Sequence, residues 1–410
     1  MFARFTLIAS ILALSISSVL SADEGPFWPR FHGPNADNKS TDTGLLKKWP
    51  EGGPELIWTT EGIGNGYSGV TIADGTIYTA GDIGENTFVI AMDLDGKIKW
   101  KYDNGPKWTR SWGGSRGTPT IDDDRIYHQT AQGQLVCLEA KTGNKIWGIN
   151  TNETFGTRKT YWAFAESVLI DGDNAIICPG GTEASMVAFN KMTGDVVWKT
   201  EETGDHHGYA TPVLIEQDGL RIILTMTGQA LIGVNADGGD LLFRFEFITK
   251  HNVNALMPIY HDGHILISSG YGNGTKLLKL TVKDKTASVE EVWYTKELAN
   301  HHGGVMLVDG YVYGATGKWV CLDWKTGEVK WEVEGVGKGC VSMADGLFYM
   351  MNEKKLVGLA KPSPEGHELI SQFELPEQGE GRSWAHPVIC GGRLYIRYDN
   401  FLYAYDVKAK

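Results

Sequence analysis

Apolar and polar positions alternate along most of this chain, in short runs that come in pairs split by a turn. GVTIADGTIYTAG (69–81), GTPTIDDDRIYHQT (117–130), SVLIDGDNAIICPG (167–180) and TPVLIEQDGLRIILTM (211–226) each read as strand, turn, strand. MPIYHDGHILISSG (257–270), GVMLVDGYVYGAT (304–316), CVSMADGLFYMM (340–351) and HPVICGGRLYIRY (386–398) continue the series. Alternation with period two marks a half-buried strand, and an Asp-Gly break supplies the positive φ of a tight hairpin turn. The pattern therefore predicts eight β-hairpins.

A second phrase follows the hairpins: VIAMDLDGKIKW (89–100), LVCLEAKTGNKIW (135–147), MVAFNKMTGDVVW (186–198), LIGVNADGGDLLF (231–243) and WVCLDWKTGEVKW (319–331). Looser copies occupy 277–293 and 356–373. The aromatic ends, Trp100, Trp147, Trp198, Phe243, Trp293, Trp331 and Phe373, recur every ~38 to ~51 residues, the period of a four-stranded propeller blade. Each blade reads strand A, Asp-Gly turn, strand B, loop, strand C, Thr-Gly turn, strand D. Gly143, Gly194 and Gly327 take the left-handed positions of the second turn. A bulky closing residue on strand D suits the wedge-shaped gap between sheets that fan out from an axis, so the phrase is architectural.

Eight hairpins need eight D strands, yet only seven aromatic ends follow them. The last unit stops at FLYAYDVKAK (401–410), while ELIWTTEG (55–62) carries an orphan Trp58 ahead of the first hairpin. Pairing these two segments closes the ring and removes its open edges. The expected fold is all-β, an eight-bladed β-propeller of four-stranded antiparallel blades closed by an N-terminal strand. A seven-bladed ring with one misread unit is the alternative. The expected organisation is a leader over 1–21, an extension over 22–54 packing on the propeller, and the propeller over 55–410. The extension, rich in Gly, Pro and Asn, should lie across one face with Trp28 and Phe31 tucked in; packing or a turn is the favoured role for His32.

Composition narrows the function. The net charge of −12 lacks the basic footprint that nucleic acid or an anionic membrane surface requires. Arg4, an apolar stretch to about Leu20 and small residues at Val19-Leu20-Ser21 read as a cleaved secretory signal, which places the mature chain outside the cytoplasm, periplasmic or secreted, with no membrane anchor. A monomer is expected. Five cysteines, an odd number, leave at least one thiol unpaired, and no CxxC suggests a zinc ribbon or attached haem. Glycine-rich dinucleotide loops, HExxH and nucleophile elbows are absent from any supporting context.

AMDLDGKIKW (91–100) and CLDWKTGEVKW (321–331) resemble the tryptophan-docking repeats of the pyrroloquinoline quinone (PQQ) β-propeller superfamily, and the resemblance runs through nearly all of the mature chain. That superfamily includes quinoprotein alcohol dehydrogenases, polyvinyl-alcohol-dehydrogenase-like enzymes and the propeller lipoprotein of outer-membrane protein assembly, which binds no quinone. The dehydrogenases imply PQQ with calcium as cofactors, with Glu166 and Asn254 standing where two calcium ligands would, and His302 or Asp205 as base. This chain departs from them: it has no adjacent cysteines, and its connector at 300–304 reads NHHGG, without an Asp. No cofactor is fixed by the residues themselves, and no metal site is assigned.

In a propeller the D-to-A connectors converge on one face around the channel. Here they gather Arg110, Trp112, Arg116, Trp162, His206, His207, His301, His302, Trp384 and His386, along with Arg158, His251 and Arg382. Six of the eleven histidines fall there. With Glu166 and Asn254 these make the candidate ligand-binding set. Aromatic platforms beside arginine suit an anionic, sugar-like or planar ligand. The competing assignment is that these side chains cap strand ends. Adjacent histidines in an extended segment point to opposite faces, so each pair offers one inward ligand, which disfavours a metal. The leading expectation is a ligand- or protein-binding scaffold; the alternative is a PQQ-dependent alcohol oxidoreductase. A polysaccharide binder using Trp112, Trp162 and Trp384 as platforms is a third. Partners are a small molecule, a polysaccharide or a protein at the channel mouth.

Overall fold

The computed structural model describes residues 25–158 and 161–410. The leader expected over 1–21 lies outside them. Among the described residues the strands form eight four-stranded antiparallel sheets, each a simple meander. Blades 1 to 7 span 71–106, 120–150, 169–199, 213–246, 259–295, 305–333 and 339–374. Blade 8 combines 388–406 with the strand Glu55–Glu61.

The A–B hairpins turn as their sequences require. At Asp74-Gly75, Asp218-Gly219, Asp262-Gly263, Asp309-Gly310 and Asp345-Gly346 both residues hold positive φ, the geometry that matches the twist of the flanking strands. The hydrophobic core is divided. Each large buried cluster draws side chains from two neighbouring blades, such as Ile222, Leu224 and Leu231 of blade 4 against Ile265, Ile267 and Leu278 of blade 5. The molecule is thus a ring of apolar slabs, one between each pair of sheets.

At the outer rim the closing tryptophan of one blade sits on the C–D turn glycine of the next. A Cβ added to Gly143 would stand 2.7 Å from the ring of Trp100, and one on Gly194 would stand 2.8 Å from Trp147. The same holds for Trp58 over Gly96, Trp198 over Gly239 and Trp293 over Gly327. Trp58, Trp100, Trp147 and Trp293 each donate the indole N–H to a carbonyl of that turn, at 2.9–3.1 Å. These glycines are fixed twice over, by positive φ and by the ring lying on them. Five of the closing indoles face a small residue on their own strand C, where room is needed: Ala91, Cys137, Ala188, Cys321 and Ala404 stand opposite Trp100, Trp147, Trp198, Trp331 and Trp58. All five cysteines are free and buried.

Around the channel, hydroxyls stitch blade to blade. Gly69 N donates to Thr118 Oγ1 (2.9 Å), Thr118 N to Ser167 Oγ (3.0 Å), and Ser167 N to Thr211 Oγ1 (2.9 Å). Closure is made by Glu55–Glu61 pairing antiparallel with Phe401–Asp406. Beside it Arg397, buried in blade 8, donates to Gly64 O (2.7 Å), Thr79 Oγ1 (2.8 Å) and the Ala80 carbonyl of the blade 1 side.

The extension packs on the A–B-turn face, where Asp42 Oδ2 accepts from Gly392 N (2.7 Å) and Asp345 Oδ2 from Leu45 N (2.9 Å), and from there it dips into the channel. Trp28 exchanges backbone hydrogen bonds with Ile72 of blade 1 (2.7 and 2.8 Å), and Pro29 O accepts from Ile121 N of blade 2 (2.8 Å). Ser40 N then donates to Met343 O of blade 7 (2.7 Å), and Lys39 Nζ to Leu307 O of blade 6 (2.8 Å). All four are on innermost strands, so residues 28–40 thread the central channel. Further along, Leu45 and Trp49 fill the slab between blades 7 and 8. Such a segment has no strand period because its partners lie on many different blades.

Arg397→Ala would leave at least three buried acceptors without a donor. It is expected to lower the unfolding free energy by ~3 kcal/mol or more in urea titrations, whereas Lys141→Ala on an exposed turn stays within ~0.5 kcal/mol.

Candidate functional site

The D-to-A connectors meet at one end of the channel in a cup of about 180 Å³. That volume holds on the order of a dozen waters, and most of its wall is aromatic. The rings run around it in sequence. Trp112 lies 5.1 Å from Trp384, Trp384 4.9 Å from His302, and His302 4.9 Å from His301. Next come Tyr271 at 4.9 Å from His301, His251 at 4.8 Å from Tyr271, and Trp162 at 6.4 Å from His251. Tyr161 follows Trp162 at 4.8 Å, and its carbonyl accepts from Ser111 Oγ, beside Trp112 (3.1 Å). The collar is therefore closed, drawn from five D-to-A connectors and the B–C loop of blade 5. Its contacts are tilted or edge-to-face, the arrangement ring quadrupoles favour. Trp112 holds φ +40°, disfavoured for a bulky side chain, and is 49% exposed at the mouth.

Arg116 reaches into the cup from the second connector, its guanidinium donating to Ser111 O (3.0 Å) and Trp112 O (2.6 Å). Burial lowers its pKa, yet a guanidinium stays charged in proteins. Among the described residues no carboxylate forms an ion pair with it.

The adjoining wall, beyond Trp112 and Trp384, is organised by Glu353, from the B–C loop of blade 7. Its Oε1 accepts from His302 Nε2 (3.1 Å), Lys338 Nζ (2.9 Å) and Trp384 Nε1 (2.9 Å), and its Oε2 pairs with Arg382. Burial acts to raise the carboxyl pKa, but hydrogen bonds from His302, Lys338 and Trp384 outweigh it and hold the group well below the carboxylate range. One carboxylate thus fixes four side chains from three connectors, and two cations overcompensate its charge.

Burial favours the neutral form of His301, His302 and His386. Burial takes His301 down to about 3 and His386 to about 4, and it lowers His302 despite the Glu353 hydrogen bond. His386 bonds both ways, with Nε2 at 3.0 Å from His302 O and Nδ1 at 3.1 Å from Asn38 Nδ2 of the channel segment. Nε2 is therefore the donor and Nδ1 the acceptor from the Asn38 amide.

Of the candidates read from the sequence, Trp112, Arg116, Trp162, His301, His302, Trp384 and His386 line the cup. Arg110, Glu166, His206, His207 and Asn254 stand away from the lining. Arg110 is exposed, over Trp108 at 5.7 Å. His206 is half-buried, its backbone N–H on Gln229 Oε1 (3.3 Å). His207 is buried, stacked on Phe164 at 4.0 Å, with a pKa pressed down to about 4 by burial. Glu166 and Asn254 are both flanked by lining residues, Ala165 and Ser167 for one, Val253 and Ala255 for the other. In extended chain the middle residue of such a triplet points away. Glu166 accepts from Cys178 N at 3.0 and 3.2 Å, and burial pushes its pKa up to about 8. Asn254 Nδ2 donates to Thr227 O (3.0 Å) and Phe247 O (3.1 Å). Phe31, Tyr67, Tyr209, Tyr271 and Glu353 complete the site and were not among the candidates. Tyr67 and Tyr209 sit in D-to-A connectors, Tyr271 sits in the B–C loop of blade 5 outside that set, and Glu353 carried no signal.

Two pH effects follow. His386 and His207 contribute stability above their unfolded pKa of about 6.5, which is lost as pH falls towards about 4. The melting temperature is expected to drop over that window, and His386→Gln to flatten part of the drop. Glu166 has the opposite sign: its contribution is present below about 4.5 and is lost as pH rises to about 8. Glu166→Gln is expected to raise the melting temperature at pH 8 and leave it unchanged at pH 4.5.

Comparison with known proteins agrees with the ring. The outer membrane protein assembly factor BamB of Yersinia pestis is 21% identical over 322 residues, 75% of this chain and 79% of that protein. A quinoprotein ethanol dehydrogenase of Pseudomonas aeruginosa is 26% identical over 163 residues, 36% of this chain, and the match spans only 26% of the dehydrogenase. Among solved structures, BamB of Moraxella catarrhalis superposes with a TM-score of 0.64 at 15% identity, covering 86% of this chain and 99% of its own. A europium-containing methanol dehydrogenase gives 0.63 at 12% identity, covering 90% and 89%. No helix among the described residues is long and apolar enough to cross a membrane. The family model described as outer membrane protein assembly factor BamB matches residues 40–158 and 85–333, more than half of the sequence, and the chain belongs to that PQQ-repeat propeller family.

Proposed function

We propose that this chain is an exported binding propeller whose connector-face cup holds a flat, negatively charged ligand. The observation that carries the reading is Arg116: a cation set among aromatic rings, donating only to carbonyls of its own loop and forming no ion pair with a described carboxylate. Lys338 and Arg382 outweigh Glu353 on the adjoining wall, so the local field favours an anion although the whole chain carries −12. Rings in a closed collar offer faces and edges to a planar partner. The scaffold role belongs to the BamB relatives and comes to this chain as part of the same reading.

A second reading, a PQQ-dependent alcohol oxidoreductase, draws on the quinoprotein dehydrogenase matches. A planar quinone suits the collar, with Arg116 at a carboxylate of the ligand. The two residues that would hold calcium are turned behind the wall: Glu166 accepts from the Cys178 amide, and Asn254 donates Nδ2 to two carbonyls while its buried Oδ1 has no hydrogen-bond partner. No catalytic step is assigned through either group.

Titration of the mature protein with PQQ, followed by tryptophan fluorescence with and without calcium, separates the readings. Saturable quenching that ignores calcium, with no alcohol-dependent dye reduction and at least ~10-fold weaker binding in Arg116→Ala, is the expected result. Calcium-dependent quenching with dye turnover would favour the oxidoreductase. No quenching at tens of micromolar quinone would overturn the cup as a site for such ligands.

A further inference from the structure

The channel beneath the cup is not open. Between its contacts with blades 1 and 2 and those with blades 6 and 7, the threaded segment winds on itself. Gly33 N donates to Arg30 O (2.9 Å), Ala36 N to Gly33 O (3.1 Å) and Asn38 N to His32 O (2.8 Å). His32, Ala36 and Asn38 all hold left-handed φ, and a Cβ on Gly33 would meet the Trp28 ring at 2.9 Å. The result is a compact knot of turns seated in the axis of the ring.

Phe31 is the top of that knot. Its ring stacks on His32 (4.0 Å) and meets His386 edge-on (5.3 Å). Phe31 lines the cup above, and it also lines a second cavity of about 150 Å³ below, bounded by Arg30, Asn35, Val168, Thr211 and Met257. Ser167, on the channel wall, is the other residue that borders both. A single phenyl ring therefore stands between two voids of similar size.

We infer that Phe31 is a specificity-determining residue of the cup: it sets how deep a ligand can enter, and the N-terminal extension is in this way part of the ligand site. The inference rests on the cup being a ligand site. A floor makes the site blind, so a ligand is admitted from the connector face and only as far as the phenyl ring. Ligand occupancy and docking of the extension are also linked, because His386 lines the cup and accepts from Asn38, which in turn donates to Val341 O of blade 7. A ligand pressing on Phe31 and His386 acts on the same groups that hold the knot, and linkage is reciprocal.

The test compares two planar carboxylates of different length, 2-naphthoate and anthracene-2-carboxylate, by calorimetry on wild type, Phe31→Ala and Phe31→Leu. Removing the floor is expected to shift the affinity ratio towards the longer acid at least tenfold in Phe31→Ala and by a smaller factor in Phe31→Leu, which keeps an apolar side chain to hold the fold. An unchanged ratio, within twofold, in variants that bind both acids would overturn the inference. If neither acid binds the wild type, the ligand reading of the cup is what has failed for this class. The floor is then decided by a crystal structure of Phe31→Ala. A continuous void from cup to lower cavity sustains it, and a channel still closed by other side chains overturns it.

Discussion

An indole lying on a glycine is the contact on which this ring depends. Each blade alone has two apolar faces and nothing to cover them, so the sheets are stable only as neighbours. The tryptophan at the rim sets the angle between one sheet and the next: it reaches across, rests on a turn that has no Cβ to push it away, and caps the turn with its N–H. The slabs of aliphatic side chains then fill the space the angle leaves, and the inner hydroxyl bridges fix the spacing at the axis. Where one element of the motif is missing another takes its place. Trp331 finds Ser363 O (2.8 Å), and at the closing blade Gly53, ahead of the first strand, fills the glycine position against Phe373.

Because rim and axis carry the architecture, the connectors are left free to carry chemistry, as loops on a rigid scaffold commonly are. The cup shows what this freedom permits. Rings from six loops meet in a collar that no single blade encodes, and the charges are arranged asymmetrically. Glu353 is saturated with donors and serves to hold the wall, while Arg116 faces the cavity with no ion pair to a described carboxylate. Neutral histidines add surface without adding charge.

How much of this could be read from the chain depends on whether the signal was periodic. Eight blades and the closing strand were legible because turn glycines and closing aromatics recur, and the orphan Trp58 had one vacancy to fill. The cup was half legible. Tryptophans, arginine and histidines in connectors announced themselves by type, but the parity of Glu166 and Asn254 is set by where each connector enters its strand, which a single residue cannot reveal. Glu353 sits in the unremarkable loop NEKK, and only folding brings it beside His302, 51 positions away. The path of residues 28–40 was invisible for a further reason: its hydrogen bonds go to four different blades, so no local pattern marks it.

The pairing of Glu55–Glu61 with Phe401–Asp406 sets the order of events in the life of the chain. The strand Glu55–Glu61 is made long before its partner, since its mate lies over 300 residues downstream. Closing so long a loop is slow, and until it happens blades 1 and 8 each present a bare apolar face. A molecule caught at that stage would meet its own kind edge to edge, so the vulnerable interval is the time between synthesis of the first blade and arrival of the last few residues. Whatever shortens that interval, or shields the waiting strand during it, governs how much of the protein reaches its ring.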